Sequence, residues 1–167
     1  MGHPVTEIRR LGQRDTALYR AIRLECLRRH PQAFGASFDQ ENAETLDWFA
    51  RRLRENAIFG AFHAKELLGI ASFHSQPTRK KRHKGVLWGM YVRPAERGAG
   101  IADLLIESVC AYARGQRVEQ LHLTVVGGNA PAHQLYRRLG FVEYGLEPRS
   151  HKEGDRYYDE ILMVKFL

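Results

Sequence analysis

The chain has 167 residues, 44% of them apolar, and a formal net charge of +7, enough chain for one buried core. No run approaches the roughly 18 consecutive apolar residues of a membrane helix, and Met1-Gly2-His3-Pro4 lacks a basic stretch followed by an apolar one, so neither a membrane setting nor secretion is expected. Cys26 and Cys110 make no disulfide framework and point to a reducing cytoplasm.

Residues 1–167 read as a single domain, without internal repeat, low-complexity tract or linker. Val5 to Leu11 alternates apolar and polar residues as a first strand. Asp15 caps a helix with Leu18, Ala21, Ile22, Cys26 and Leu27 on one face, and Pro31 ends it. Ala33 to Gln40 reads as a loop, and a second helix carries Leu46, Phe49, Ala50 and Leu53. Ala57 to His63 and Leu67 to Ser75 form a hairpin through Ala64-Lys65-Glu66.

The run Arg79-Lys80-Lys81-Arg82-His83-Lys84 is the densest positive stretch. Charge blocks of this kind are usually solvated loops; a polyanionic small molecule or nucleic acid are the other partners a basic chain suits. The run lacks the interleaved aromatics and the reading helix that nucleic-acid binding calls for.

Gly85 to Val92 is a central strand. Ile101, Leu104, Leu105, Val109 and Tyr112 then recur at helical spacing, with Gly115 as the expected stop. Glu119 to Val126 is a strand, Ala130 to Leu139 a helix ended by Gly140, and Phe141 to Gly145 and Tyr157 to Phe166 are closing strands. Antiparallel strands followed by a strand-helix-strand unit predict an α/β fold, a mixed sheet with helices on both faces.

Chemistry is concentrated where the central strand meets the following helix. Arg93-Pro94-Ala95-Glu96 leads into Arg97-Gly98-Ala99-Gly100-Ile101-Ala102. Glycines at a helix entrance let backbone N–H groups converge on one point, and the positive helix end makes that point an anion site. Arg97 adds a charged donor. There is no Gly-Lys-Ser/Thr, which excludes a P-loop, and the third glycine of a dinucleotide fingerprint is replaced by Asp103. Asp103 suits the helix dipole but repels a phosphate, so it is expected to face away.

These residues resemble the GNAT superfamily of N-acetyltransferases. The resemblance rests on Val92-x-Pro94-x-x-Arg97-Gly98-x-Gly100-Ile101-Ala102 and on a second block, Leu121-x-Leu123-x-Val125 followed by Asn129-x-x-Ala132-x-x-Leu135-Tyr136-x-x-Leu139-Gly140-Phe141. Tyr158-Asp159-Glu160-Ile161-Leu162-Met163 is also family-like, so the likeness spans nearly the whole chain.

The resemblance implies the acyl-CoA N-acyltransferase fold, a mostly antiparallel sheet splayed at its centre, and acetyl-CoA as cofactor with coenzyme A as product. It places the Met90, Tyr91 and Val92 backbone along the pantetheine, Arg97 to Ala102 on the pyrophosphate, and Asn129 on the cofactor side. It makes Tyr136 the general acid, since a leaving thiolate of pKa about 8.5 is assisted by a phenol within hydrogen-bond reach. No metal is implied.

The acceptor is a primary amine, on a small molecule or on a peptide or protein, attacked directly in a ternary complex. An alkyl amine is almost fully protonated at pH 7, yet Leu87-Trp88-Gly89 lacks the carboxylate many members carry there. His122, His74 and Glu160 are the candidate bases, and none is assigned. Both cysteines fall on apolar helix faces, where a thiol is inert. Pro31 to Gln40 and Glu147 to Asp155 are expected to border the acceptor, with Phe34, Phe38, Asp39, His151 and Asp155. A homodimer is the family-level expectation. Two other readings stand beside this one: a nucleic-acid-binding module using Arg79 to Lys84, and a CoA-binding protein of this fold without transferase activity.

Overall fold

The computed structural model describes residues 6–167; Val5 lies outside them. One mixed sheet of seven strands runs in the order β1-β2-β3-β4-β5-β7-β6. The strands are β1 Glu7–Arg10, β2 Ala57–His63, β3 Glu66–Ser75, β4 Lys84–Val92, β5 Gln120–Val126, β6 Val142–Glu153 and β7 Arg156–Phe166. The helices are α1 Thr16–Arg29, α2 Phe38–Asn42, α3 Leu46–Glu55, α4 Ile101–Gly115 and α5 Ala130–Arg138. The expected α/β class with helices on both faces is what the chain adopts.

Strand alternation sorts the core into two clusters, one per face. Ala57, Phe59 and Ala61 of β2 pack with Leu87, Leu105, Val109 and Tyr136 on the α4–α5 side. Ile58 and Phe62 pack with Tyr19, Ile22, Leu27 and Phe49 on the α1–α3 side. Leu105 and Phe49 are wholly buried, and truncating either to Ala costs about 3–5 kcal/mol.

Two features of β4 position the site. First, Ser72 pairs with Trp88 while Ile70 pairs with Tyr91, so Gly89 and Met90 together face Ala71 in a bulge. Gly89 takes φ +60 there. An inserted residue inverts strand parity. Before the bulge Leu87 packs toward α4 and Trp88 toward α1; beyond it Met90 and Val92 turn to the α4 side and Tyr91 to the α1 side. Second, β4 and β5 are parallel and pair only over Lys84–Val86 with Gln120–His122. Beyond that point the strands part, while β5 remains paired to β7 along its full length.

Several expectations are corrected. Leu18 and Ala21 of α1 are exposed, and Tyr19, Ile22, Arg23, Cys26 and Leu27 are buried. The face is rotated because a buried ion pair gives Arg23 a core position. Ala33 to Gln40 is not all loop: Ser37 Oγ accepts from the Gln40 N–H and starts α2. Gly115 lies inside α4. The helix stops at Gln116 and Arg117, the latter at φ +60, with the Val118 N–H reaching back to the Ala113 carbonyl. Phe141 is core rather than strand, and β6 runs on to Glu153 instead of stopping at Gly145.

Candidate active site

The parted strands open two adjoining clefts. The first, of about 620 Å³, lies between the N-terminus of α4 and α5. Among its lining residues are Met90, Tyr91, Val92, Arg97, Gly98, Gly100, Ile101, Ala102 and Asn129, which the sequence had grouped on motif alone; Ala99 is not among them.

Gly98 and Gly100 have φ +84 and +77, and a Cβ on either would meet no heavy atom within 4 Å. Backbone conformation, not lack of space, requires glycine there. Gly100 is the left-handed cap of α4, so the first N–H groups of a fifteen-residue helix are left without intrahelical partners at the cleft. Arg97 is held in place by its Nε bond of 3.0 Å to the Val92 carbonyl and by an Nη2 contact of 3.3 Å with His30. Burial, then the Arg97 charge, holds the His30 imidazole below its ordinary pKa. The set is an anion cradle with open space in front of it, and it fits a pyrophosphate.

Asp103 does not face away. It lines this cleft, and Arg138 binds its carboxylate in two bonds of 2.7 and 2.8 Å. The ion pair holds the Asp103 carboxyl below the ordinary value. Sequence reading missed Arg138, because nothing local links residues 35 apart.

The second cleft, of about 590 Å³, is bordered by Val86 to Met90, by His122 to Val126, by Phe34 and by Glu160. Ala33, Phe34, Met90, Asn129, Ala132 and Tyr136 border both clefts and form the throat between them. Asn129 also caps α5, its Oδ1 accepting from the Ala132 N–H at 3.4 Å. Tyr136 packs edge-on against Phe141, with centroids 5.8 Å apart. Burial pushes its phenol above the ordinary value.

Of the three candidate bases, His74 borders a separate cleft with Arg10, Arg54 and Arg82. His122 and Glu160 both line the second cleft. Burial first, then Lys84 and His83, hold His122 below the ordinary imidazole value, so it is neutral at pH 7. Glu160 accepts from Thr124 Oγ1 at 3.1 Å and from Ser150 Oγ at 2.6 Å.

The expected loop Pro31 to Gln40 does border the second cleft, through Ala33, Phe34, Gly35 and Ala36, while Phe38 and Asp39 do not line it and no residue of Glu147 to Asp155 does. His151 instead contacts the Gln32 carbonyl at 2.9 Å and ties β6 to the 31–36 segment. The basic run is divided: Lys81 and Lys84 line the second cleft, Arg82 the separate one. Cys26 and Cys110 are buried free thiols outside both clefts, and burial raises Cys26 to about 11. Among the described residues no helix is long and apolar enough to cross a membrane.

Comparison with known proteins agrees with this geometry. The acetyltransferase (GNAT) family model matches residues 19–141. The L-methionine sulfoximine/L-methionine sulfone acetyltransferase of Pseudomonas aeruginosa is 30% identical over 118 residues, 70% of this chain and 69% of that protein. A GNAT-family acetyltransferase of Streptococcus pneumoniae shares the fold at a TM-score of 0.87 with 23% identity, over 98% of this chain and 100% of that one. A Salmonella typhimurium structure solved with acetyl-CoA superposes at 0.80 with 22% identity, over 98% of this chain and 94% of that one. With the family model covering most of the chain and the cradle in place, the protein belongs to the GNAT family of acetyltransferases, enzymes that take their acetyl group from acetyl-CoA.

Proposed function

We propose that this chain transfers the acetyl group of acetyl-CoA directly to the primary amine of a small molecule, with both substrates bound at once. The observation that carries the reading is the meeting of two clefts at one throat lined by Met90, Asn129 and Tyr136. Acetyl-CoA supplies an activated thioester. The chain's residues do the rest: Arg97 to Ala102 hold the pyrophosphate, the Met90–Val92 backbone pairs with the pantetheine, and Asn129 lies beside it. Tyr136, a phenol protonated at neutral pH, holds a proton for the departing sulfur.

The inaccessible thiols of Cys26 and Cys110 favour direct transfer over an acetyl-cysteine route. They also support a reducing cytoplasm as its setting. The Pseudomonas aeruginosa relative is named for the small molecules L-methionine sulfoximine and L-methionine sulfone, which supports a small-molecule acceptor. The continuous sheet from β1 to β7 supports one transferase domain over 1–167. Exposed Val142, Tyr144 and Leu146 on the outer hairpin support a homodimer.

The test has two parts. Millimolar CoA should raise Tm by several degrees, and acetyl-CoA with a panel of small amines should release free thiol. An unchanged Tm removes the cofactor assignment. A raised Tm with no thiol release from any amine leaves a CoA-binding protein and removes the transferase reading.

A further inference from the structure

The second cleft has an unusual wall. Arg23 of α1 is 3% exposed, and its Nε and Nη2 each donate a 2.9 Å bond to the Glu41 carboxylate. Glu41, 5% exposed, also accepts from Arg52 Nη1 at 2.9 Å. Two guanidiniums share one carboxylate, so the cluster carries one positive charge more than its partner balances, with Arg23 buried and the Arg52 side chain 21% exposed. Trp88 lies against both cations, its ring 4.8 Å from Arg52 Cζ and 5.7 Å from Arg23 Cζ, and Phe34 lies 5.7 Å from the latter.

Arg23 Nη1 has no hydrogen-bond partner among the described residues. It lies 3.6 Å from the point a Cβ on Gly89 would occupy, and Ser72 Oγ, wholly buried and unpartnered, lies 3.3 Å from the same point. Gly89 therefore puts no side chain over Arg23 Nη1. Arg23, Phe34, Trp88 and Gly89 all line the second cleft, and the next residue, Met90, belongs to the throat.

Arg23 is already paired with Glu41, but an anion against its unused Nη1 would balance the charge that the second guanidinium adds to the cluster. Lys81 and Lys84 also line this cleft, but Lys84 is six residues before Met90, about 20 Å along the strand. They lie too far from the throat to hold a group next to the reacting amine of a small molecule.

We propose that the acceptor is a primary amine with a carboxylate beside it, an α-amino-acid-type molecule, and that Arg23 Nη1 anchors the carboxylate. The inference rests on reading the second cleft as the acceptor side. It adds to that reading the charge the acceptor must carry and the residue that selects it.

The experiment measures thiol release by the wild-type enzyme with matched triples: methionine, glutamine and phenylalanine, each beside its carboxamide and its decarboxylated amine. For the accepted side chain, kcat/KM for the acid should exceed that for both counterparts at least a hundredfold. In the double variant Arg23→Met/Glu41→Gln, checked for folding by its CoA-induced Tm shift, the acid-to-carboxamide ratio should fall at least tenfold, chiefly through KM. Equal use of the three forms by the wild type, or preference for an uncharged form, overturns the proposal without any variant. A folded double variant that keeps the ratio overturns it too. Failure of every amine to release thiol removes the transferase reading beneath it, and transfer to neutral amines with rejection of amino acids removes this inference alone.

Discussion

Arg138 and Asp103 join the last turn of α5 to the first turn of α4 through two parallel hydrogen bonds of 2.7 and 2.8 Å. Both residues line the first cleft. The pair also neutralises a carboxylate in the first turn of α4, where the helix dipole favours it and a phosphate ligand would not.

Removing Arg138 should therefore weaken CoA binding although Arg138 need not touch the ligand. Arg138→Ala leaves Asp103 facing the pyrophosphate, and Kd for CoA should rise about fivefold at low salt, with a smaller rise at 0.5 M salt. The double variant Arg138→Ala/Asp103→Asn should recover most of that loss. Titration calorimetry of the three proteins at two ionic strengths checks it; an unrecovered double variant would mean that Arg138 acts by direct contact.

Replacing Tyr136 with Phe keeps the ring that packs on Phe141 and removes only the hydroxyl. On the assignment of this hydroxyl as proton donor, kcat should drop about a hundredfold, while the Tm shift produced by CoA stays as in the wild type. Stopped-assay kinetics and thermal unfolding separate the two effects.

Gly100 occupies a left-handed conformation with open space around it. Gly100→Ala should cost about 1–2 kcal/mol from backbone strain, lowering Tm by roughly 3–6 °C for a chain of this size. The cap it distorts also aims the helix N–H groups, so CoA binding should weaken more than stability. Calorimetric unfolding with and without CoA reads both quantities.

The Arg9–Asp15 pair sets an acid limit on stability. Asp15, 3% exposed, accepts two 2.8 Å bonds from Arg9 and a third from the Gly12 N–H. The Arg9 hydrogen bond is the main cause that holds its carboxyl below the unfolded value of 3.8, outweighing burial. A depressed carboxyl stabilises the fold above the unfolded pKa, and that stability is lost as pH falls through the folded value. Asp15→Ala should cost about 3 kcal/mol at pH 7, and Asp15→Asn should flatten the fall in Tm below pH 4.

Sequence reading reached the parts whose signal is local. The glycines at 98 and 100 mark left-handed residues, and the 3.6-residue repeat of Ile101, Leu105 and Val109 marks a buried helix face. It failed where the cause lies elsewhere in the chain. Arg23 reads as a surface residue until Glu41 and Arg52 are brought against it. The length of β6 went unseen because the strand is exposed almost throughout and has no apolar alternation to show. The family resemblance implies a bulge in the strand Val86 to Val92, but its place at Gly89 emerges only from the pairing of Ser72 with Trp88 and Ile70 with Tyr91.

The short contact between β4 and β5 has a consequence for how the molecule holds together. Among the described residues, three residue pairs at Lys84–Val86 are the only strand pairing between the four-strand half, β1 to β4, and the three-strand half, β5 to β7. Beyond them, main-chain amides that an unbroken sheet would match to a neighbour face the wedge instead. A ligand carrying its own amides and threaded into that wedge acts as a partial eighth strand. It would splice the two halves into one stiffer unit, so that occupancy of the active site and cohesion of the fold rise together.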